Sequence, residues 1–167
     1  MSLAAGFTGV HIAQLVGIGS SGYLAGFVSA ASILGVPPLY FAPPEVATKQ
    51  WAKIYHTGAA IVPATAATSF LAYLYLSYNS GHTVSPAEGY AYLAAGALTL
   101  AVAPYTLLTM MTTNRAIEAI AESKDAAAQG DQVTSLIQKW NKLNLGRASG
   151  PIIGFGIGLL ALGGFFA

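Results

Sequence analysis

The sequence predicts an all-α fold, an integral membrane four-helix bundle whose helices three and four extend beyond the membrane on the cytoplasmic side. Three observations carry this. Only 8% of the 167 residues are charged and 54% are hydrophobic, whereas soluble domains average about 25% charged. The charges leave four uninterrupted intervals, residues 1–44, 54–87, 89–114 and 148–167, each able to hold the roughly 20 residues of a bilayer-spanning helix. Hydrophobicity in these intervals does not alternate as in outer-membrane strands, and residues 89–114 leave no polar face wide enough for a long soluble helix. Residues 1–167 are therefore expected to form one transmembrane domain. The absence of cysteine excludes a disulfide scaffold, an iron–sulfur cluster and a thiolate metal site.

Helix one is expected over residues 9–36. It opens without a basic segment and its uncharged run is far longer than a signal peptide's core, so it reads as a retained helix. Pro37-Pro38 stops it, because neither proline donates a ladder hydrogen bond, and Pro43-Pro44 keeps the connection extended. Helix two is expected from Val46 to Tyr78, ending before the turn signal Asn79-Ser80-Gly81. Ser85-Pro86-Ala87-Glu88 marks the start of helix three, with a capping hydroxyl, a proline at the first helical position and a reciprocating carboxylate. That helix runs to about Ser123, and Gly130-Asp131 opens a long fourth helix that re-enters the membrane near Arg147. Pro63, Pro104 and Pro151 fall inside helices as kinks that neighbouring helices in a membrane can accommodate.

Four spans put both termini and residues 79–88 on one face. Lys49, Lys53, Arg115, Lys124, Lys139, Lys142 and Arg147 then all fall on the other, and the positive-inside rule makes that face cytoplasmic. The expected location is the endoplasmic reticulum membrane, with luminal termini.

Several patterns are excluded by context. Gly17-Ile18-Gly19-Ser20-Ser21-Gly22 matches a dinucleotide fingerprint but follows no strand and lies inside an apolar run. Gly22 and Gly26, and Gly150, Gly154 and Gly158, have the four-residue spacing that lets membrane helices approach closely. A net charge of +1 and no dense basic patch argue against a nucleic-acid partner. His11 and His82 fall on the luminal side and His56 on the cytoplasmic side, so the three do not converge on one metal.

The informative residues are polar ones on apolar stripes. On helix four Val133, Leu136, Ile137, Trp140 and Leu143 recur at helical spacing, and Asn144 and Arg147 continue that face. On helix three Asn114 shares the stripe of Met110, Ile117 and Ile120, while Arg115, Glu118 and Glu122 form a solvent stripe with local ion pairs. Polar groups directed into a membrane bundle are functional candidates by default. With Tyr55 and His56 at the same depth, Trp140, Asn114, Asn144 and Arg147 outline a ligand pocket.

At these positions Pro104-Tyr105-Thr106, Met110 and Thr113-Asn114, then Trp140-Asn141-Lys142-Leu143-Asn144 and Arg147, resemble the paired motif of the anthrone oxygenase family. These are small four-helix membrane proteins of fungal aromatic polyketide pathways. Trp51, Tyr55, Gly58 and Pro63 fit its second-helix pattern. The resemblance implies oxidation of an anthrone to an anthraquinone by dioxygen as co-substrate, with no cofactor and no metal. It implies His56 as the base and Arg147 with Asn114 or Asn144 as oxyanion partners. Trp140, Tyr55, Trp51, Tyr105, Thr113 and Met110 would then contact the substrate. Trp51, Tyr55 and Gly58 share a face from which His56 is turned by about 100°, so the register leaves open whether Tyr55 or His56 points inward. The expected partners are a small aromatic polyketide and the lipid bilayer, with homo-oligomerisation left open. Two other classes fit the composition: a membrane glutathione transferase-like enzyme, which should carry more bundle arginines, and a non-catalytic assembly or lipid-binding subunit, which needs no inward polar cluster.

Overall fold

The computed structural model describes residues 8–123 and 125–167, apart from the side chain of Ala126. Lys124, expected at the basic end, lies outside the described residues. Four helices, α1 (Gly9–Phe41), α2 (Pro44–Thr83), α3 (Pro86–Glu122) and α4 (Gly130–Leu162), are each long and apolar enough to cross a membrane. No strand occurs among the described residues. Each helix packs on the next and α4 returns to α1, closing an up-down-up-down bundle. The 40 residues of α2 reach about 60 Å, twice the hydrocarbon thickness, so α2 also extends beyond the membrane.

Helix boundaries depart from the sequence expectation in three places. α1 is regular over Gly9–Ala30, widens into a π turn at Ala31–Gly35 and ends as a 3-10 turn at Pro37–Phe41. The Pro37-Pro38 pair therefore opens a tight turn, because a missing N–H costs nothing in a first helical turn. Ala42 and Pro43 are extended, as expected, but α2 begins at Pro44, two residues before Val46. It also continues through Asn79-Ser80-Gly81 to Thr83. Asn79 Nδ2 donates to Tyr75 O at 2.9 Å and Thr83 Oγ1 to Asn79 O at 2.8 Å, so the polar side chains serve the helix instead of breaking it. Gly81 is there for contact: a Cβ on Gly89 would lie 2.8 Å from the Gly81 Cα.

Ser85 Oγ accepts from Glu88 N at 3.1 Å, the expected start of α3. The reciprocal half of that cap is replaced, since Ser85 N donates to Ser80 O at 3.1 Å. α3 breaks its regular pitch near Pro104 and passes through a π turn at Thr106–Met110 before continuing to Glu122. α2 and α4 run on through Pro63 and Pro151. His11 accepts from Thr8 N at 3.2 Å at the start of α1.

The two ends of the bundle are built differently. At the end holding the chain termini, α4 presents Gly150, Gly154 and Gly158 to α3 and to Tyr73. A Cβ on Gly154 would meet Ala95 O at 2.6 Å, and one on Gly150 would meet Leu98 O at 2.6 Å. Tyr73, fully buried, shares a 2.9 Å hydrogen bond with Ser21, and Ser69 Oγ donates to Gly17 O at 2.9 Å. Gly17 and Gly22 of the fingerprint-like segment thus serve helix packing, whereas a Cβ on Gly19, or on Gly26 beyond it, would meet nothing within 4 Å. Lys49, Lys53, Arg115, Lys139 and Lys142 are exposed at the opposite, basic end. There Trp51, Trp140, Met110, Ile117 and Ile137 form a core among α2, α3 and α4.

Because a side chain at Gly154 would strike backbone, Gly154→Val should destabilise the detergent-solubilised protein by about 1–3 kcal/mol, the usual cost of overpacking. Gly26→Ala should leave thermal unfolding unchanged. Circular dichroism melts of the two variants beside the wild type check both outcomes.

Candidate active site

Between the close-packed end and the tryptophan core the four helices part around a pocket of about 650 Å³, within the range of small-molecule sites. α1 contributes Phe27, Val28, Ala30 and Ala31, and α2 lines it from Lys53 to Pro63. Thr106, Leu107 and Met111 of α3 and Trp140 and Arg147 of α4 complete the wall. Both π turns border it, at Ala31 and at Thr106 and Leu107. A widened turn shifts the register of the side chains that follow, and such turns recur at functional sites.

Arg147 is the most costly group in this wall, and the structure shows how it is held. Its Nη1 donates to Thr106 Oγ1 at 3.1 Å and its Nη2 to Asn144 Oδ1. Asn144 is fully buried, and its Nδ2 donates to Val28 O at 2.9 Å and Ser32 Oγ at 2.8 Å. The amide therefore spends its donors on α1 and its acceptor on the guanidinium. A guanidinium has five N–H donors, and Arg147 Nε is buried without an acceptor among the described residues. Donor capacity thus remains for an oxygen brought into the pocket.

An aromatic cluster forms the wall at the basic end. Tyr55 stacks on Trp51 with ring centroids 5.2 Å apart and planes 7° apart, and Trp51 meets Trp140 edge-on at 5.8 Å. The Tyr55 hydroxyl lies 3.9 Å from Met111 Sδ.

The sequence-derived candidates divide into three groups. Tyr55, Trp140 and Arg147 line the pocket. Asn144, Trp51 and Tyr105 stand behind these: Asn144 holds Arg147, Trp51 backs Tyr55, and a Cβ on Gly146 would meet the Tyr105 hydroxyl at 2.7 Å. Asn114, Thr113 and Met110 are buried away from the pocket lining, Asn114 donating to Met111 Sδ at 3.9 Å with its Oδ1 unpartnered among the described residues. His56 is not on the lining either. Its side chain is 64% exposed and its Nε2 lies 3.2 Å from Glu118 Oε1. Helical rotation explains this: with Tyr55 turned inward, the next residue points about 100° away. Glu118 thus pairs across to α2 instead of within its own stripe. Among the described residues no three His, Asp or Glu side chains gather to hold a metal.

The pocket residues the sequence did not single out are Lys53, Thr106 as the Arg147 partner, Met111 in place of Met110, and the α1 wall. Met110 and Met111 exchange places because the π turn at Thr106–Met110 inserts an extra residue into the helical register. Gly58 was visible as part of the second-helix pattern, and its role is plain in space. It lines the pocket, and a Cβ there would meet nothing within 4 Å.

Fold and pocket together give an integral membrane helical bundle with a mostly apolar cavity carrying a fixed cation in its wall. The family model described as anthrone oxygenase matches residues 51–157, which take in the pocket segments of α2, α3 and α4. The chain is 36% identical over 153 residues to the anthrone oxygenase of Claviceps purpurea, covering 88% of this chain and 84% of that protein. It is 30% identical over 132 residues to an anthrone oxygenase of Pestalotiopsis fici, covering 75% and 86% of the two chains. To the noranthrone monooxygenase of Aspergillus flavus it is 26% identical over 156 residues, covering 90% and 73%. No solved structure matches it. The chain belongs to the anthrone oxygenase family and is an oxygenase.

Gly58→Leu projects a side chain into open pocket volume, so it should abolish binding of a planar three-ring ligand while leaving the melting temperature within a degree or two of wild type. Fluorescence titration with 9,10-anthraquinone, run beside a thermal melt, tests this. A large loss of stability would show that Gly58 is a packing residue and not an opening.

Proposed function

We propose that this oxygenase converts an anthrone to an anthraquinone, using dioxygen as co-substrate and no resident cofactor. One observation carries the reading: a positioned guanidinium, Arg147, in the wall of an otherwise mostly apolar aromatic pocket. An anthrone's methylene hydrogens are activated by the carbonyl and two aromatic rings. Removing one proton moves the electron pair toward the carbonyl oxygen, and the resulting anthrolate reduces dioxygen itself. A carbon–oxygen bond forms at the former methylene carbon, and the peroxide takes up a proton. Cleavage of the oxygen–oxygen bond with loss of the second methylene proton releases water and leaves the new carbonyl. The balance is one CH₂ and one O₂ to one C=O and one H₂O.

In this scheme Arg147 stabilises the developing enolate oxygen, a role that gains strength in a dry, low-dielectric site. Trp140 and Tyr55 flank the rings. Tyr55, on the pocket wall, is the side chain placed to take part in the proton transfer; His56, on the outward face beside Glu118, is a poorer candidate. Asn144 acts through Arg147. The pocket thus departs from the glutathione transferase alternative, which calls for several inward arginines. The non-catalytic alternative leaves the inward Arg147 without a use.

The deciding experiment is aerobic turnover of an anthrone by purified, chelator-treated protein, with oxygen uptake and anthraquinone formation followed together. Wild type should turn over with one O₂ consumed per quinone. Arg147→Lys keeps a charge but loses the planar fork and should lower kcat sharply. Tyr55→Phe should lower it by about 10² to 10⁴, the scale of general base catalysis. His56→Ala should retain most activity. The reverse ranking of the Tyr55 and His56 variants would return the base to His56. No turnover without added metal would end the cofactor-independent reading.

The orientation belongs to the same proposal: the basic end, and with it the pocket, faces the cytoplasm of the endoplasmic reticulum, and the termini are luminal. In sealed microsomes a protease added outside should cut the connection between α3 and α4, at residues 123–129, and leave a C-terminal tag intact. A tag digested from the outside would invert this arrangement.

A further inference from the structure

The mechanism uses one cation of the pocket, and the structure provides two. Lys53 lies on the lining with Tyr55 and Gly58, at the end nearest the tryptophan core. Among the described residues no Asp or Glu lines the pocket. The carboxylate nearest this segment of α2 in the described ion pairs, Glu118, is taken by His56. Lys49 precedes Lys53 by one helical turn, a like-charge spacing that offers neither a local counter-ion. Lys53, exposed at the rim of the cavity, therefore brings positive charge to its mouth, with no ion pair to a carboxylate among the described residues.

The two cations are also set apart along the cavity. Ala148, next to Arg147, packs with Val28, Val62 and Val102. Val62 follows Lys53 by nine residues on one helix, roughly 13 Å of axial rise. That separation, spanned in part by the two side chains, accommodates the path from a central-ring carbonyl to an outer-ring substituent of a three-ring skeleton. Because an anthrone's carbonyl lies on its central ring, a ligand whose carbonyl meets Arg147 can direct the substituent of one outer ring toward Lys53.

We propose that Lys53 is a specificity residue for an acidic substrate, an anthrone bearing a carboxylate on one of its outer rings. This deepens the anthrone reading and rests on it for the skeleton, though not for the charge. The long alkyl stem of lysine covers apolar wall while its ammonium meets the anion at the mouth, where water and headgroups are near. Placed there, it contributes to binding and not to the chemical step.

The test pairs binding with turnover, using wild type, Lys53→Gln and Lys53→Arg in an uncharged detergent. Anthraquinone-2-carboxylate and neutral 2-methylanthraquinone serve as ligands, and the corresponding anthrones as substrates. Lys53→Gln should raise Kd for the carboxylate about tenfold, the scale of one hydrogen bond to a charged group, and change the neutral ligand less than twofold. Lys53→Arg should restore carboxylate binding. With the anthrones, the Gln variant should raise KM for the acid alone and leave kcat unchanged for both. Equal effects on the acidic and neutral ligands, no effect on either, or failure of wild type to bind the carboxylate would overturn the proposal. Selective carboxylate binding without turnover of any anthrone would refute the oxygenation reading and leave the role of Lys53 standing. Turnover without charge selectivity would do the opposite.

Discussion

A guanidinium inside a bundle of apolar helices is tolerated only where its protons find acceptors, and this bundle organises three helices around that requirement. Asn144 is the pivot. It cannot satisfy Arg147 unless its carbonyl side is turned toward the guanidinium, and that orientation leaves its NH₂ to be met elsewhere. Val28 O and Ser32 Oγ on α1 meet it, while Thr106 on α3 takes the other arm of Arg147. One polar chain thus runs from α1 through α4 to α3. Breaking it at any link leaves a buried donor or a buried charge exposed to apolar surroundings, which costs more than the bond itself contributes.

That chain also explains why a pocket survives in the middle of a packed molecule. At the terminal end, helices meet through glycine and serine, close enough that a methyl group on Gly150 or Gly154 would touch backbone. At the basic end, Trp51, Trp140, Met110 and the isoleucines fill the core. Between these two the π turns of α1 and α3 change the facing of their side chains, and the polar chain fixes helix separation without filling the space. Gly58 then removes the side chain that would otherwise occupy it. The cavity is a consequence of packing being complete above and below it and of polar tethers replacing packing at its level.

The sequence showed much of this and missed the rest for identifiable reasons. Helix number, order and the buried stripes of Val133, Ile137, Trp140 and Asn144 on α4 follow from charge-free intervals and helical period, signals that survive averaging over many residues. Punctuation was less dependable: Asn79-Ser80-Gly81 looks like a turn because asparagine and serine compete with helix backbone in water, yet here their side chains bond within the helix and Gly81 serves a close contact. Phase could not be carried across a π turn, which is why Met110 was expected in the pocket and Met111 is there. The same sensitivity governs Tyr55 and His56, where one residue of register separates a pocket wall from an ion pair with Glu118. Lys53 is exposed at the basic end, as its place among the cytoplasmic charges implies, and only the structure shows that it also borders the pocket.

The charge distribution in the wall has a mechanistic consequence beyond binding. A carbanion-forming site needs stabilisation of negative charge where the electrons go, and an apolar surround that keeps water from quenching the intermediate before oxygen reaches it. A cation placed without a neighbouring carboxylate meets the first need at the greatest electrostatic advantage, since a fixed counter-anion would cancel the field it supplies. Arg147 is accordingly held by two neutral acceptors, Thr106 and Asn144, and not by an acid. Neutral tethering makes the guanidinium rigid while leaving its charge uncompensated, so the stabilisation it offers is largest for a ligand that becomes negative in the course of reaction. A buried ion pair at the same position would fold as well or better and would have much less to offer an enolate. Under the proposed mechanism the selection of asparagine and threonine as partners therefore reads as a functional constraint on the structure, with the chemistry at Arg147 and not at the exposed His56.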